Sequence, residues 1–158
     1  MTPGPEIERK FLVGEGAAPD LDEYPSDAIR QGYIAIAPDG TEVRIRERGG
    51  RHVITVKSGP SRARVEEEIR IDARQFDALW PLTEGRRLEK RRYLIPDDDG
   101  LTIELDVYAG ELAGLITAEI EFESEEQARR YQPAPWFRAE VTGAARYSNQ
   151  ALATHGQP

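Results

Sequence analysis

The sequence predicts a mainly β, α+β fold: an eight-stranded antiparallel β-barrel with a few helices packed outside and a C-terminal helix. Three observations predict it. Eight segments alternate apolar and polar residues with a period of two, the strand signal. Pro38-Asp39-Gly40, Gly49-Gly50 and Asp98-Asp99-Gly100 supply the residues that tight hairpins need. Helical stretches are few and short. Closure of so many strands into a barrel also removes exposed sheet edges.

In chain order, the first strand covers Glu6–Val13. The stretch Gly14–Asp27, rich in Gly, Pro and Asp, reads as a surface loop. A weaker alternation over Ile29–Ile36 is followed by Thr41–Arg48, His52–Lys57 and Arg64–Asp72. Asp72 with Gln75 forms a capping box ahead of Phe76, Leu79 and Trp80, which starts a helix. Strands over Arg86–Ile95, Leu101–Tyr108 and Thr117–Glu123 come next. Ser124 with Gln127 caps a short helix ending near Tyr131, where Pro133 and Pro135 break the chain. A last helix covers part of Ala144–Thr154. No internal repeat or linker divides the 158 residues, so residues 1–158 are read as one domain.

Hydrophobic residues make up 39% and charged residues 32%, but the apolar positions are patterned, which argues against disorder. No apolar run approaches the roughly 18 residues of a membrane span, and no apolar signal region opens the chain. With no cysteine, disulfides and thiolate metal sites are excluded. A cytoplasmic protein without a membrane partner is expected. The net charge of −8 argues against a nucleic-acid partner, which would call for a basic face.

The bulk charge hides its arrangement. Sorted by strand parity, Glu6, Glu8 and Lys10 share a face, as do Arg44 and Arg46, Thr55 and Lys57, Glu66 and Glu68, Lys90 and Arg92, Glu104 and Asp106, and Glu119 and Glu121. The other faces carry residues such as Val43, Ile45, Leu105 and Ile120. Half-buried sheets commonly have a solvated charged side. Here, however, the charges are segregated by sign, and like charges on neighbouring positions destabilise a sheet unless something of opposite sign lies between them. Carboxylates suit a hard divalent cation; guanidinium and ammonium groups suit phosphate oxygens. A metal–triphosphate complex needs both sets, facing each other across a lumen where the effective dielectric is low.

The stretch Glu6-Ile7-Glu8-Arg9-Lys10 is the ExExK signature of the CYTH domain, the triphosphate tunnel metalloenzyme family. It is followed in order by Glu-Val-Arg-Ile-Arg at 42–46, Val-Ile-Thr-Val-Lys-Ser at 53–58, Glu-Gly-Arg-Arg-Leu-Glu-Lys-Arg-Arg-Tyr at 84–93, Glu-Leu-Asp-Val at 104–107 and Ala-Glu-Ile-Glu-Phe at 118–122. The chain resembles this family from Glu6 to about Leu152, and its length resembles that of the short bacterial inorganic triphosphatases. The resemblance implies a tunnel and hydrolysis of inorganic tripolyphosphate to diphosphate and phosphate. Thiamine triphosphatase, nucleoside triphosphatase and class IV-type adenylate cyclase are alternatives, and a non-catalytic polyphosphate-binding module is an alternative of another class.

Carried across by motif, Lys10, Arg44, Arg46, Lys57, Lys90 and Arg92 would hold the triphosphate. Glu6, Glu8, Glu119 and Glu121, with Asp106 directly or through water, would hold Mg²⁺ or Mn²⁺. Glu66, Glu68 and Glu104 are candidates for a second metal or the attacking water. Lys10, with Tyr33 as partner, is the candidate general base. The expected assembly is a monomer or homodimer.

Other motifs read plainly. His52 and His155 serve packing or solvent, and Asp97–Gly100 is a hairpin turn. Gly14-x-Gly16 lacks the rest of a dinucleotide motif. Trp80, Trp136 and Phe137 pack helices on the wall. Arg87, Glu89 and Arg91 point outward into solvent.

Overall fold

Alternate residues of a strand point to opposite faces, so each strand offers one face to an outer apolar layer and one to an inner charged surface. The computed structural model describes residues 6–58 and 65–158. Among them, nine strands form one sheet: β1 (Ile7–Val13), β2 (Ser26–Ile36), β3 (Glu42–Arg48), β4 (Arg51–Lys57), β5 (Glu66–Ile71), β6 (Arg87–Pro96), β7 (Thr102–Ala109), β8 (Ile116–Phe122) and β9 (Phe137–Glu140). Their order is β5-β4-β3-β2-β6-β7-β8-β1-β9, with antiparallel neighbours throughout. The described residues also form three α-helices: α1 (Ala73–Leu79), α2 (Glu125–Arg130) and α3 (Asn149–His155).

This is the expected mainly β, antiparallel architecture with two refinements. The sheet has a ninth strand, and among the described residues β5 and β9 do not pair with each other, so the barrel stays open along one seam. Boundaries also move. β2 starts at Ser26, inside the stretch read as a loop, because Ser26, Asp27 and Ala28 pair with Tyr93, Arg92 and Arg91. The rest of that stretch covers the core, with Ala18, Leu21 and Tyr24 packed against it. β5 begins at Glu66; Arg64, the expected first residue, lies outside the described residues.

Residues Phe11, Ile103, Leu105, Ala118, Ile120 and Phe122 form the outer core of the β1, β7 and β8 wall. Phe137 stacks on Phe11 at 4.9 Å, and Trp136 meets Phe137 edge-on at 4.7 Å, so both aromatics pack the wall as expected. Arg9, also outward, fastens this layer. Its guanidinium donates to Ala128 O and Tyr131 O and pairs with Glu140 at 2.7 Å, joining the end of α2 to β9.

On the other flank, Asp72 and Gln75 form the reciprocal capping box of α1, which sets Phe76 against His52 and Trp80, each at 5.2 Å between ring centres. Arg87 is not solvated as its parity suggested. It lies over Trp80 at 4.5 Å and donates to Thr83 Oγ1 and Trp80 O, because the 3₁₀ turn Trp80–Thr83 folds back over the outer face. That turn sits directly on Gly32 of β2, where a Cβ would fall 2.5 Å from Thr83 Cβ.

The third helix lies on the opposite side of the sheet. Leu152 and Ala153 pack with Tyr33, Leu88 and Tyr108, which belong to the inner face. α3 therefore covers one end of the concave surface, while α1 and α2 lie outside.

Gly32→Ala is expected to destabilise by about 1–3 kcal/mol through overpacking, read as a lower denaturant midpoint with an unchanged m-value. An unchanged midpoint would show that Thr83 yields freely.

Candidate active site

Cross-strand pairing decides which residues share the concave face. Glu8 stands opposite Glu121 and Lys10 opposite Glu119; Glu104 stands opposite Glu119; Arg92 stands opposite Asp106 and Lys90 opposite Tyr108. Gln31 and Tyr33 face Arg46 and Arg44, and Arg44 faces Thr55. One surface thus carries an acidic wall on β1, β7 and β8 and a basic wall on β3, β4 and β6.

One carboxylate oxygen from each of Glu6, Glu8 and Glu121, all exposed, lies within 4.8 Å of the other two. Partial burial and the Glu119 carboxylate, which shares a hydrogen bond with it, push Glu8 up to about 8, although its outer edge meets solvent. Glu121 is raised by burial and by Glu104, Glu6 and Glu119. Like charge this close favours a shared proton or a bound cation, and an all-oxygen set fits a hard divalent ion. Glu66 and Glu68 do not join this group. They lie on β5 at the far edge of the sheet, exposed, with Glu66 3.5 Å from Lys57 Nζ.

The basic wall splits into two kinds of group. Asp106 is 3% exposed and receives Arg92 Nε at 2.8 Å, Arg92 Nη2 at 2.9 Å and Lys90 Nζ at 2.8 Å; Arg92 Nη1 pairs with Glu104 at 2.7 Å. Burial favours the neutral acid, but Lys90 and Arg92 hold Asp106 down to about 2. Its lone pairs are largely engaged by these cations, so it orients them. Burial opposes the Arg92 charge as well, yet Asp106 and Glu104 outweigh it and its pKa rises. Lys90 is lowered to about 8 by burial, against the pull of Asp106. Arg44 and Arg46 are different. Among the described residues the Nε of each is buried with no hydrogen-bond partner. Burial and the charges of Arg92, Arg44 and Arg48 lower Arg46 to about 10. Buried donors without acceptors are costly; an anion between the two arginines would supply the acceptors.

Lys10 Nζ donates to Tyr147 O at 2.7 Å. Tyr33 accepts from Gln31 at 3.0 Å and lies within reach of Arg44. The hydrogen bonds of Lys10 and Tyr33 thus go to different partners. Burial raises the Tyr33 phenol, which therefore keeps its proton at neutral pH.

Four inner-face residues were missed by the sequence reading. Glu42 is buried beside Arg44, and parity with Arg44 could have found it. Arg48 continues the same row and pairs with Asp27 at 3.1 Å. Tyr108 follows Glu104 and Asp106 in parity and lies under Lys90 at 5.4 Å. Gln150 had no local signal.

The CYTH domain family model matches residues 4–140. An inorganic triphosphatase of Nitrosomonas europaea is 48% identical over 148 residues, 94% of this chain and 96% of that protein. An inorganic triphosphatase of Acetivibrio thermocellus is 37% identical over 152 residues, 94% of this chain and 93% of that protein. A crystal structure of an inorganic triphosphatase superimposes with a TM-score of 0.80 at 44% identity, covering 100% of both chains. A Pyrococcus horikoshii protein at 20% identity and TM-score 0.54, covering 80% of this chain and 84% of that one, shares the fold.

Because the Glu8 pKa lies above its unfolded value near 4.5, the folded chain retains a proton there that the unfolded chain releases. Its contribution to stability is present below that value and is lost as pH rises through about 8. Metal-free thermal unfolding is expected to show a slope that Glu8→Gln flattens between about pH 5 and pH 8, with Mg²⁺ stabilising the unmutated protein more at the upper end. Identical slopes for the two proteins would contradict the shared proton.

Proposed function

The chain belongs to the CYTH domain family, and we propose that it hydrolyses inorganic triphosphate to diphosphate and phosphate with Mg²⁺ or Mn²⁺. One observation carries the proposal: among the described residues two buried arginine Nε groups without acceptors share the concave face with three carboxylates at a spacing that could hold a metal ion. A metal–triphosphate complex would engage both sets, and the two curated relatives are named inorganic triphosphatases.

In this reading Glu6, Glu8 and Glu121 hold the metal, with Glu119 beside them. The ion would neutralise phosphate charge and polarise phosphorus. Arg44, Arg46 and Lys57 grip phosphate oxygens directly. Lys90 and Arg92 are fixed by Asp106 and Glu104 and present their remaining N–H groups and charge. Together they stabilise the charge that collects on the transferring phosphoryl and the leaving diphosphate, the main requirement of phosphoryl transfer. Water oxygen bonds to a terminal phosphorus, the bridging P–O bond breaks, and the bridging oxygen leaves with diphosphate. The water proton goes to a lysine amine, Lys10 being the candidate. Tyr33, with its raised phenol, acts as a donor rather than a base. Glu66 and Glu68, distant in strand order from the metal group, neutralise Lys57 and the sheet edge; Glu104 serves Arg92. The protein would work in the cytoplasm as a monomer or homodimer, without a membrane or nucleic-acid partner. No helix among the described residues is long and apolar enough to cross a membrane.

Phosphate release from tripolyphosphate, ATP and thiamine triphosphate is the direct comparison. Tripolyphosphate with Mg²⁺ or Mn²⁺ is expected to be hydrolysed fastest, and chelation to abolish turnover. Lys10→Ala and Glu121→Ala should each lower kcat by about a hundredfold or more without unfolding the protein. Tight polyphosphate binding without turnover under any metal would instead indicate a binding module.

A further inference from the structure

Glu42 is a carboxylate on a wall otherwise built for anions. It is 7% exposed. Beside the proposed phosphate site it should weaken anion binding, so its presence calls for a compensating role. Its two oxygens face different elements. Oε2 accepts from Gln150 Nε2 of α3 at 3.0 Å; Oε1 lies 3.9 Å from Arg44 Nη1, an ion pair rather than a hydrogen bond.

The rest of the 147–150 segment is tied to other strands. Tyr147 O receives Lys10 of β1 at 2.7 Å, and Asn149 Oδ1 receives Tyr108 OH of β7 at 3.4 Å. In strand order β1 and β7 lie on the acidic side, while β3 lies across β2 and β6 from them. The start of α3 therefore spans the concavity, and Gln150–Glu42 is its hydrogen bond to β3. In an open sheet the spacing of the two walls depends on such cross-braces.

We propose that Glu42 is a positioning residue for triphosphate hydrolysis: by receiving Gln150 it braces the basic strand β3 against the C-terminal helix. The proposal rests on the triphosphatase reading above, and its test separates the two. Gln150→Glu places two carboxylates face to face. It is expected to speed amide hydrogen exchange of residues 149–155 and to lower kcat for tripolyphosphate by about tenfold. The exchanged pair, Glu42→Gln with Gln150→Glu, rebuilds one amide–carboxylate hydrogen bond with the charge moved to the helix. Both slow exchange and kcat should then return to within about threefold of the unmutated protein. Unchanged exchange in Gln150→Glu, or recovered exchange in the double variant with kcat still depressed, would overturn the brace. A chain that hydrolyses no triphosphate would overturn the functional reading, while the exchange measurement still decides the brace.

Discussion

Mutual repulsion among like charges held on one concave face is the constraint from which the other features of this protein follow. Strand alternation places Glu6, Glu8, Glu119 and Glu121 together on β1 and β8, or at the start of β1, and Arg44 and Arg46 together on β3. Each wall carries an excess of one sign, offset only in part by Lys10 on one and Glu42 on the other. The sheet can hold such a surface because its opposite face is a well-packed apolar layer, with Leu105, Ala118 and Ile120 fully buried in it. Folding energy from the outside keeps the inside in a state it would not adopt alone.

The charges are nevertheless not treated alike. Asp106 accepts three close contacts from Lys90 and Arg92, so these cations are set before any ligand arrives. Breaking such a buried triad would leave an uncompensated charge, which ties its geometry to the fold itself. Among the described residues Arg44 and Arg46 lack that satisfaction at Nε. The division separates cations that the fold has already paired from cations it leaves unsatisfied at one nitrogen.

Much of this was legible in the sequence because period-two alternation reports both strand and face. Parity alone placed Arg44 with Arg46 and Glu119 with Glu121 on shared faces, and the ordered motifs named the family. What parity cannot give is distance along the sheet. Glu66 and Glu68 share the inner face yet sit on edge strand β5, and Lys10 and Tyr33 share it while bonding elsewhere. Short or polar segments were hidden for a related reason. β9 is four residues long and is held by Arg9 from the first strand, an interaction across more than a hundred residues. The start of β2 is polar because Asp27 answers Arg48. The seating of α3 on the inner face depends on Leu152 meeting Tyr33 and Tyr108, contacts that no local pattern announces.

The central claim is that cation and anion occupy one lumen, between the two walls, at the same time. Pulsed electron–nuclear double resonance on the protein loaded with Mn²⁺ and tripolyphosphate measures this directly. The account predicts ³¹P hyperfine couplings from phosphate bound to a protein-held Mn²⁺, disappearing from the protein-bound signal when Glu8 and Glu121 are both replaced by alanine. A protein-held Mn²⁺ without ³¹P coupling, or coupling that survives loss of both carboxylates, would contradict it.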